Sequence, residues 1–520
     1  MMSDPTSLNN EVNRASAQFV IAGGPELQLL VSAGLTVIDD RGSLQPQLAE
    51  AVPTVENGLW RVEPDGQMET TWRIREGARW QDSTPFTAQD LVFTYRLLQD
   101  KDLEVFRNVA YDAIATVEAP DPRTVTVRWS KSYIFASQLF SPDLGVPLPK
   151  HLLEREYEDN KRNALFHPYF GNEFIGSGPF KLREFARSSH IVLEAFDGYV
   201  LGRPKIDLID IRLIPDPNTV VANLLADAVE LTIGRNVSLE QAVQLRDQWT
   251  AGKVLISPAS WIVIYPQFLN PNPAVMSDVR FRRALLHAID RPAMVDTLQA
   301  GLTPVAHSFL APDEPEYPDV ESNITRYEFD PRRAAQLIDE IGYVRSADGG
   351  YRDASGQRLG VEIRAVTGIE INQKAMFSVA DYWQRSGVAT ESNVVPRART
   401  SDREYIATFP SFQVVRQGST VGFLTNRISS AAPTAETNFV GANYSRYMDS
   451  EFDAKIERFF VTVQRPARMQ VLGDIIHQMT DQVMTLGIFF DGTPALVGRR
   501  IDGVTPRQEG WNAHTWSVTR

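Results

Sequence analysis

One stretch decides the fold of this chain, and its residues 68–98 read METTWRIREGARWQDSTPFTAQDLVFTYRLL. The first part alternates residue by residue, which predicts a β-strand. One face of that strand carries Met68, Thr70, Trp72 and Ile74.

The second part of the stretch predicts a capped helix. Thr87 is suited to the N-cap position, and Asp90 can accept a hydrogen bond from the Thr87 amide. Phe86 before the cap and Leu91 after it have the spacing of a hydrophobic staple. The stretch therefore predicts a strand, a turn and a helix in succession.

Length, composition and charge limit what the chain can be. With 520 residues it is too long for one core, so two or three domains are expected. Hydrophobic residues make up 43% and charged residues 22%, as in ordinary globular proteins. No apolar run is long enough to span a membrane. The net charge of −13 disfavours nucleic acids and anionic membrane surfaces. The absence of cysteine excludes disulfides, thiol catalysis and thiolate metal sites.

No catalytic or cofactor motif stands out. The chain has no Walker loop, no Gly-x-Gly-x-x-Gly segment and no Gly-x-Ser-x-Gly segment. Its 7 histidines are scattered without metal-ligand spacing, and no two carboxylates are placed for acid/base work. We therefore expect no enzyme activity, no cofactor and no bound metal ion.

The signature stretch also resembles a known family. Trp80-Gln81-Asp82 followed by Pro85-Phe86-Thr87-Ala88 is similar to the pattern Trp-x-Asp-Gly-x-Pro-hydrophobic-Thr-Ala-x-Asp-Val. That pattern is typical of the family 5 solute-binding proteins of ABC transporters, and Ser83 replaces its glycine at a position that needs only a turn residue. Further blocks resemble the family in chain order: Gly176-Ser-Gly-Pro-Phe180, Pro204-Lys-Ile-Asp207, Asp278–Arg291 and Asp330–Tyr343.

The block Asp278–Arg291 predicts an amphipathic helix. Its apolar residues recur at helical spacing, at Phe281, Ala284, Leu285, Ala288 and Ile289. We expect its three arginines, Arg280, Arg282 and Arg283, on the solvated face of that helix rather than in an anion site.

The resemblance implies an α/β fold of the periplasmic-binding-protein-like type II class, with two lobes joined by a hinge and an inserted α+β third domain. Lobe I would comprise residues 1–45, 171–255 and 486–520. The inserted domain would comprise residues 46–170, and lobe II residues 256–485.

The resemblance also implies a ligand cleft at a domain interface, where pockets commonly form. Gly23 and Gly24, which end a strand predicted over residues 18–24, would lie beside that cleft. Where the chain passes between lobes, the candidate ligand contacts are Trp261, Tyr265, Phe268, Asn270, Phe490 and Asp491. Each of these aromatic residues can equally well be a core residue.

One segment departs from the peptide binders of the family. In those proteins a loop with tryptophan and aspartate pairs with the amino terminus of the peptide, whereas residues 406–426 contain no acidic residue. Phe412, Gln413 and Arg416 stand where the family's cleft residues lie. An amide and a guanidinium suit hydroxyl, carbonyl or carboxylate groups, so capture of an amino group by this loop is not expected.

The resemblance implies that the chain is the substrate-binding component of an ABC importer, which closes on a small peptide or peptide-like solute and delivers it to permease subunits. An oligosaccharide, an opine-like compound or a metal chelate is the alternative ligand, and an extracytoplasmic chaperone is the alternative role. We expect an extracytoplasmic monomer, periplasmic or lipid-anchored at the outer face of the cell membrane. The polar N-terminus shows no signal peptide, so we expect a mature or trimmed chain.

Overall fold

A computed structural model describes residues 4–16, 22–100, 102–103, 109–161 and 167–519 of the chain. The chain divides into two compact units, which we call unit 1 (residues 1–257 and 494–520) and unit 2 (residues 258–493). It passes between the units twice, each time within a long strand, Gly252–Pro266 and Leu486–Gly498. None of the helices in the described ranges is long and apolar enough to cross a membrane.

Unit 1 combines several helices with small antiparallel sheets. The helices are Asn10–Ser16, Gly24–Val31, Ala88–Leu98, Lys150–Asp159, Pro217–Leu225 and Leu239–Gln248. One sheet has the strand order Trp60–Val62, Met68–Arg73, Thr124–Trp129 and Ile114–Asp121. Another has the order Phe180–Ala186, His190–Ala195 and Leu208–Arg212. Two short strand pairs are Thr36–Ile38 with Leu44–Pro46 and Ile501–Asp502 with Ser517–Val518.

The signature stretch folds as predicted. Its strand is Met68–Arg73, with the side chains of Met68, Thr70 and Trp72 buried on one face. The Thr87 amide donates to the Asp90 carboxylate at 2.8 Å. The helix begins at Ala88, directly after the Thr87 cap. The capped strand–turn–helix prediction is therefore confirmed.

Gln81 explains why the turn of this stretch has a fixed position. Its Oε1 accepts from the Gly176 amide at 2.8 Å. Its Nε2 lies near the carbonyl oxygens of Val31 at 3.1 Å, Gly178 at 3.1 Å and Phe180 at 2.7 Å. One buried side chain thus joins the turn to the end of the helix Gly24–Val31 and to the segment that resembles the family's Gly-Ser-Gly-Pro-Phe.

That glycine-containing segment needs its glycines because it lies against the backbone of another element. A Cβ at Gly176 would be 1.8 Å from the Val31 carbonyl oxygen, and a Cβ at Gly178 would be 2.4 Å from the Val31 carbonyl carbon. Between them, the Ser177 hydroxyl donates to the Ala33 carbonyl at 3.0 Å. Close backbone contact requires the residue without a side chain.

Unit 2 is built around a five-stranded mixed sheet. Its strand order is Ala389–Val395, Gly360–Val366, Phe412–Gly418, Gly252–Pro266 and Leu486–Gly498. A short hairpin pairs Val344–Arg345 with Tyr351–Arg352. The helices are Val279–His287, Arg291–Gln299, Tyr317–Val320, Pro331–Glu340, Glu370–Ser386, Arg403–Ala407, Ser450–Val461 and Arg465–Asp481.

The predicted solvated arginine face of the helix Val279–His287 is wrong for Arg282. This residue is 4% exposed, and its guanidinium donates to the backbone carbonyls of Met276, Gln482 and Val483. Carbonyl oxygens at the ends of neighbouring elements need donors, and a long arginine supplies several at once. Periodicity alone could not show that these acceptors would lie within reach.

Candidate ligand-binding site

The sheet of unit 2 has two different faces. Along the strand Gly252–Pro266, Ile262 and Ile264 belong to the hydrophobic core of the unit. Because side chains alternate along a strand, Trp261 and Tyr265 lie on the opposite face. This second face carries most of the predicted ligand contacts of the strand.

Aromatic rings and one arginine cover the second face. The Trp261 ring lies 5.5 Å from the Phe423 ring, which stacks on Phe309 at 5.0 Å. The Arg427 guanidinium is 4.6 Å from the Phe423 ring centroid and 4.9 Å from that of Tyr265. All of these side chains are buried. We call the five residues Trp261, Tyr265, Phe309, Phe423 and Arg427 the aromatic–arginine cluster.

Phe268 and Asn270 lie beyond the end of the strand and outside this cluster. Phe268 packs edge-on against Tyr447, with ring centroids 5.0 Å apart, and beneath the guanidinium of Arg282 at 4.8 Å. Asn270 is exposed and has a left-handed backbone, with φ of 57°. The structure therefore separates these two predicted contacts from Trp261 and Tyr265.

Phe412 and Gln413 point to opposite faces of their strand. Phe412 is fully buried in the core of unit 2, with its ring 4.8 Å from that of Trp383. Gln413 is paired across the strands with Tyr265, and its Oε1 accepts from Nη2 of Arg364 at 3.3 Å. Gln413 thus lies on the face that carries the aromatic–arginine cluster, and Phe412 does not.

Arg416 and Asp491 form an ion pair with each other. Arg416 Nε lies 2.8 Å from Asp491 Oδ2 and 2.8 Å from the Ser260 hydroxyl. Asp491 is buried, and its Oδ1 accepts from the Gln299 amide at 3.4 Å. Phe490, the neighbour of Asp491, is also buried. The structure therefore gives Arg416 a carboxylate partner inside the protein.

Gly23 and Gly24 lie in unit 1, at the start of the helix Gly24–Val31. Gly23 has φ of 88°, a conformation that suits glycine. A Cβ at Gly234 would be 2.4 Å from the Gly23 nitrogen, so the two backbones approach closely. Of the strand predicted over residues 18–24, residues 18–21 lie outside the described residues, and its last residue, Gly24, begins the helix instead.

Two carboxyl groups near this helix start were missed by the sequence reasoning. Glu509 Oε2 accepts from the Gly234 amide at 2.8 Å. Burial, together with the charge of Glu26, raises the pKa of Glu509 to about 8. Burial also raises the pKa of Glu26. The two residues stand near opposite ends of the chain, so no local motif could have paired them.

Arg427 is the other residue that the sequence reasoning missed. It stands one position beyond the acid-free segment 406–426, and its Nη2 donates to the Ala442 carbonyl at 2.5 Å. The only available signal was this position directly after the segment.

In the part of the chain that the structure describes, no three histidine, aspartate or glutamate side chains are grouped to hold a metal ion.

Comparison with known proteins assigns the family. The model of the family described as "Bacterial extracellular solute-binding proteins, family 5 Middle" matches residues 43–428. This chain belongs to the family 5 bacterial extracellular solute-binding proteins. The match confirms the resemblance of the signature blocks, and the members of this family are binding proteins rather than enzymes.

Curated relatives of the chain are only partly covered by it. The oligopeptide-binding protein AppA of Bacillus subtilis is 25% identical over 380 residues, which are 71% of this chain and 64% of AppA. An ABC transporter peptide-binding relative in Brucella ovis is 29% identical over 285 residues, 55% of this chain and 51% of the relative. The chain thus matches about half to two thirds of the length of these relatives.

Solved structures confirm the α/β fold class. The oligopeptide-binding protein of Thermus thermophilus with a pentapeptide has a TM-score of 0.73 at 22% identity, covering 99% of this chain and 95% of that one. NikA of Brucella suis with Fe(III)-EDTA has a TM-score of 0.78 at 20% identity, covering 95% of each chain. Binding proteins of this fold have two lobes and a hinge.

Proposed function

We propose that this chain is the substrate-binding component of an ABC-type importer, which captures a small peptide or peptide-like solute and delivers it to permease subunits. The family match over residues 43–428 carries the proposal. Relatives named as oligopeptide- and peptide-binding proteins support the ligand class. The protein would act as an extracytoplasmic monomer, periplasmic or lipid-anchored, without covalent chemistry.

In the proposed site, the second face of the unit 2 sheet supplies Trp261, Tyr265 and Gln413. Phe268 and Asn270 extend this set beyond the strand. We also propose Gly23 and Gly24 as ligand contacts of unit 1. Other predicted contacts would support the site indirectly, by fixing the positions of the strands that carry the contacting residues. These are Phe412, Phe490 and the ion pair of Arg416 with Asp491.

We further propose that residues 46–170 form an inserted domain, because the four-stranded sheet of unit 1 lies within that range. The remaining chain would form lobe I (1–45, 171–255 and 486–520) and lobe II (256–485). Ligand capture would bend the chain at its two passages between the units, after Ser257 and after Thr493.

A second ligand class is favoured by the acid-free segment 406–426, which offers no carboxylate for a peptide amino terminus. An opine-like compound, an oligosaccharide or a metal chelate would not need one. NikA of Brucella suis was solved with Fe(III)-EDTA, and a similar binding protein, AgaA, with agropinic acid. These are ligands of those proteins, and they define what to test here.

Isothermal titration with di- to pentapeptides tests the proposal. We expect at least one peptide length to bind with 1:1 stoichiometry. N-terminal acetylation should weaken that binding less than about tenfold, because the segment 406–426 has no acid to pair with an amino group. Failure of every peptide, together with binding of Fe(III)-EDTA, would replace the peptide by a chelate. Failure of both classes would contradict the proposed function.

A further inference from the structure

Arg427 is a buried cation with unused donors. It is 5% exposed, and its guanidinium carbon lies between the rings of Tyr265 and Phe423. Its Nη2 donates to the Ala442 carbonyl, whereas Nε and Nη1 have no hydrogen-bond partner among the described residues. No carboxylate of the described residues forms an ion pair with it. The charge is therefore enclosed without a counter-ion.

Two other buried arginines of unit 2 show how the protein normally satisfies such a group. Arg282 donates to three backbone carbonyls through Nε, Nη1 and Nη2. Arg291 donates to the carbonyls of Ala306 and Gly487 through Nη1 and to that of Tyr327 through Nη2. Arg427 has the same degree of burial but only one such bond.

The groups around Arg427 supply no counter-ion. The Trp261 Nε1 is buried in the same cluster without a hydrogen-bond partner in the described chain. Burial raises the pKa of Tyr265, and the neighbouring charge of Arg427 opposes that rise, so the Tyr265 hydroxyl is the one neutral acceptor beside the guanidinium among the cluster residues. An indole nitrogen can only donate, and a phenol can donate as well as accept. Asp491, the acidic residue among the predicted ligand contacts, already pairs with Arg416. The cluster thus has an excess of donors and one full positive charge.

We propose that Arg427 binds a carboxylate group of the ligand, an inference that rests on the proposed function and specifies its ligand chemistry. Burying a charge is costly unless it is paired and hydrogen-bonded. A guanidinium edge with two free donors matches a carboxylate in geometry and charge. Because Nη2 has a second hydrogen beyond the one used by Ala442, one edge of Arg427 can present such a fork.

The ring of Phe423 is in contact with Arg427, with its centroid 4.6 Å from the guanidinium carbon. Phe423 belongs to the short helical turn Val421–Asn426, which is separated from the strand Phe412–Gly418 by Ser419 and Thr420. A carboxylate binds at an edge of the guanidinium, in its plane, through two parallel N–H···O hydrogen bonds.

Native mass spectrometry with paired probes tests the inference. The probes are a mixed di- to pentapeptide library as free acids, the same library as C-terminal amides, and Fe(III)-EDTA as a carboxylate that is not a peptide. Wild type is compared with Arg427→Gln, with Arg427→Lys, which keeps the charge but not the fork, and with Arg280→Gln, an exposed arginine of the same unit, as the control.

If the inference holds, free acids or Fe(III)-EDTA bind to wild type, and amides bind about 10- to 100-fold more weakly than acids. Arg427→Gln loses binding of the carboxylate probe by a similar factor, Arg427→Lys recovers part of it, and Arg280→Gln does not change it. Equal binding of acids and amides, or full binding by a folded Arg427→Gln, overturns the inference and leaves the proposed function intact. If no probe binds to wild type, both fail together.

Discussion

Gln81 in unit 1 and Arg427 in unit 2 are both buried polar side chains, but they differ in how many of their hydrogen bonds the protein supplies. Gln81 has both ends of its amide engaged, with one backbone donor and backbone acceptors from three residues. Arg427 is as deeply buried, yet two of its three nitrogens have no partner among the described residues. The first arrangement is complete within the protein, and the second is not.

This difference distinguishes buried polar side chains that hold the fold together from those that are available to bind a ligand. A buried group whose hydrogen bonds are all made holds elements together, and its removal leaves several backbone groups unpaired. A buried charge without a counter-ion and with free donors weakens the folded state, even where aromatic rings offset part of that cost, and a bound anion would relieve it. The part of the chain that best identifies the family is therefore not the part that we expect to select the ligand.

Glu509 gives the comparison a third case. A carboxyl group can avoid an unpaired charge by keeping its proton, and the pKa of Glu509 is accordingly raised to about 8. Arginine cannot become neutral in this way, because it stays protonated at every pH that proteins tolerate. We therefore expect Glu509 to make the free energy of unfolding depend on pH. We expect Arg427 to affect ligand binding instead.

The largest expected effect concerns the pH dependence of stability. Unfolded glutamate releases its proton near pH 4.5, whereas folded Glu509 keeps it until about pH 8. The folded state therefore binds more protons between these values, and Glu509 destabilises the protein as pH rises through this window. The full shift corresponds to roughly 5 kcal/mol by linkage.

Urea unfolding at pH 5.0 and pH 8.5 checks this expectation. Glu509→Gln should lose less stability than wild type between the two pH values, by up to roughly 4 kcal/mol, because most of the shift falls between them. Glu56→Gln, at an exposed position, is the matched control and should follow wild type. Parallel pH profiles of wild type and Glu509→Gln would show that Glu509 does not hold its proton in the folded state.

The next effect is the loss of Gln81. Gln81→Leu keeps the size of the side chain but leaves the Gly176 amide and several carbonyl groups unpaired in the interior. We expect a loss of about 3 kcal/mol in the free energy of unfolding. Gln67→Leu, in the exposed turn before the strand Met68–Arg73, should change it by less than about 0.5 kcal/mol. A similar small change for Gln81→Leu would mean that the hydrogen bonds of Gln81 do not fix the turn.

The smallest stability effect is expected at Arg427, and Arg291 provides the contrast. Arg291→Met removes donors from buried carbonyls and should cost about 2 kcal/mol in the ligand-free protein. Arg427→Met removes an unpaired charge and only one such bond, so the free energy of unfolding should change by less than about 1 kcal/mol or rise. Both are measured by urea unfolding after removal of bound solute. Equal losses for the two variants would show that Arg427 is a structural arginine.

Local patterns predicted the elements of the fold well. The strand Met68–Arg73 and its capped helix follow from alternation and from Thr87 and Asp90, which interact within one turn. The helix Pro331–Glu340 begins after the predicted Asp330 cap, and Gly342 has the expected positive φ of 92°. Such features depend on neighbours in sequence, so the sequence contains the information.

Contacts between distant residues were not predictable in the same way. Arg282 was expected in solvent but donates to carbonyls near residue 482. Arg416 and Asp491 were each predicted as ligand contacts, but their ion pair with each other was not foreseen. Glu26 with Glu509, and Arg427 with Tyr265, also come from remote parts of the chain. A long polar side chain can be solvated, paired or bound to a ligand, and only the fold decides among these states.

The most direct test of the central claim, that this chain captures a solute, is native mass spectrometry of the protein as purified, before any ligand is added. We predict an additional mass of a few hundred daltons on part of the protein, bound 1:1 and lost on denaturation, and we predict that the released compound contains a carboxylate. A protein that carries no additional mass, and that takes up none from peptides or Fe(III)-EDTA, would contradict the account.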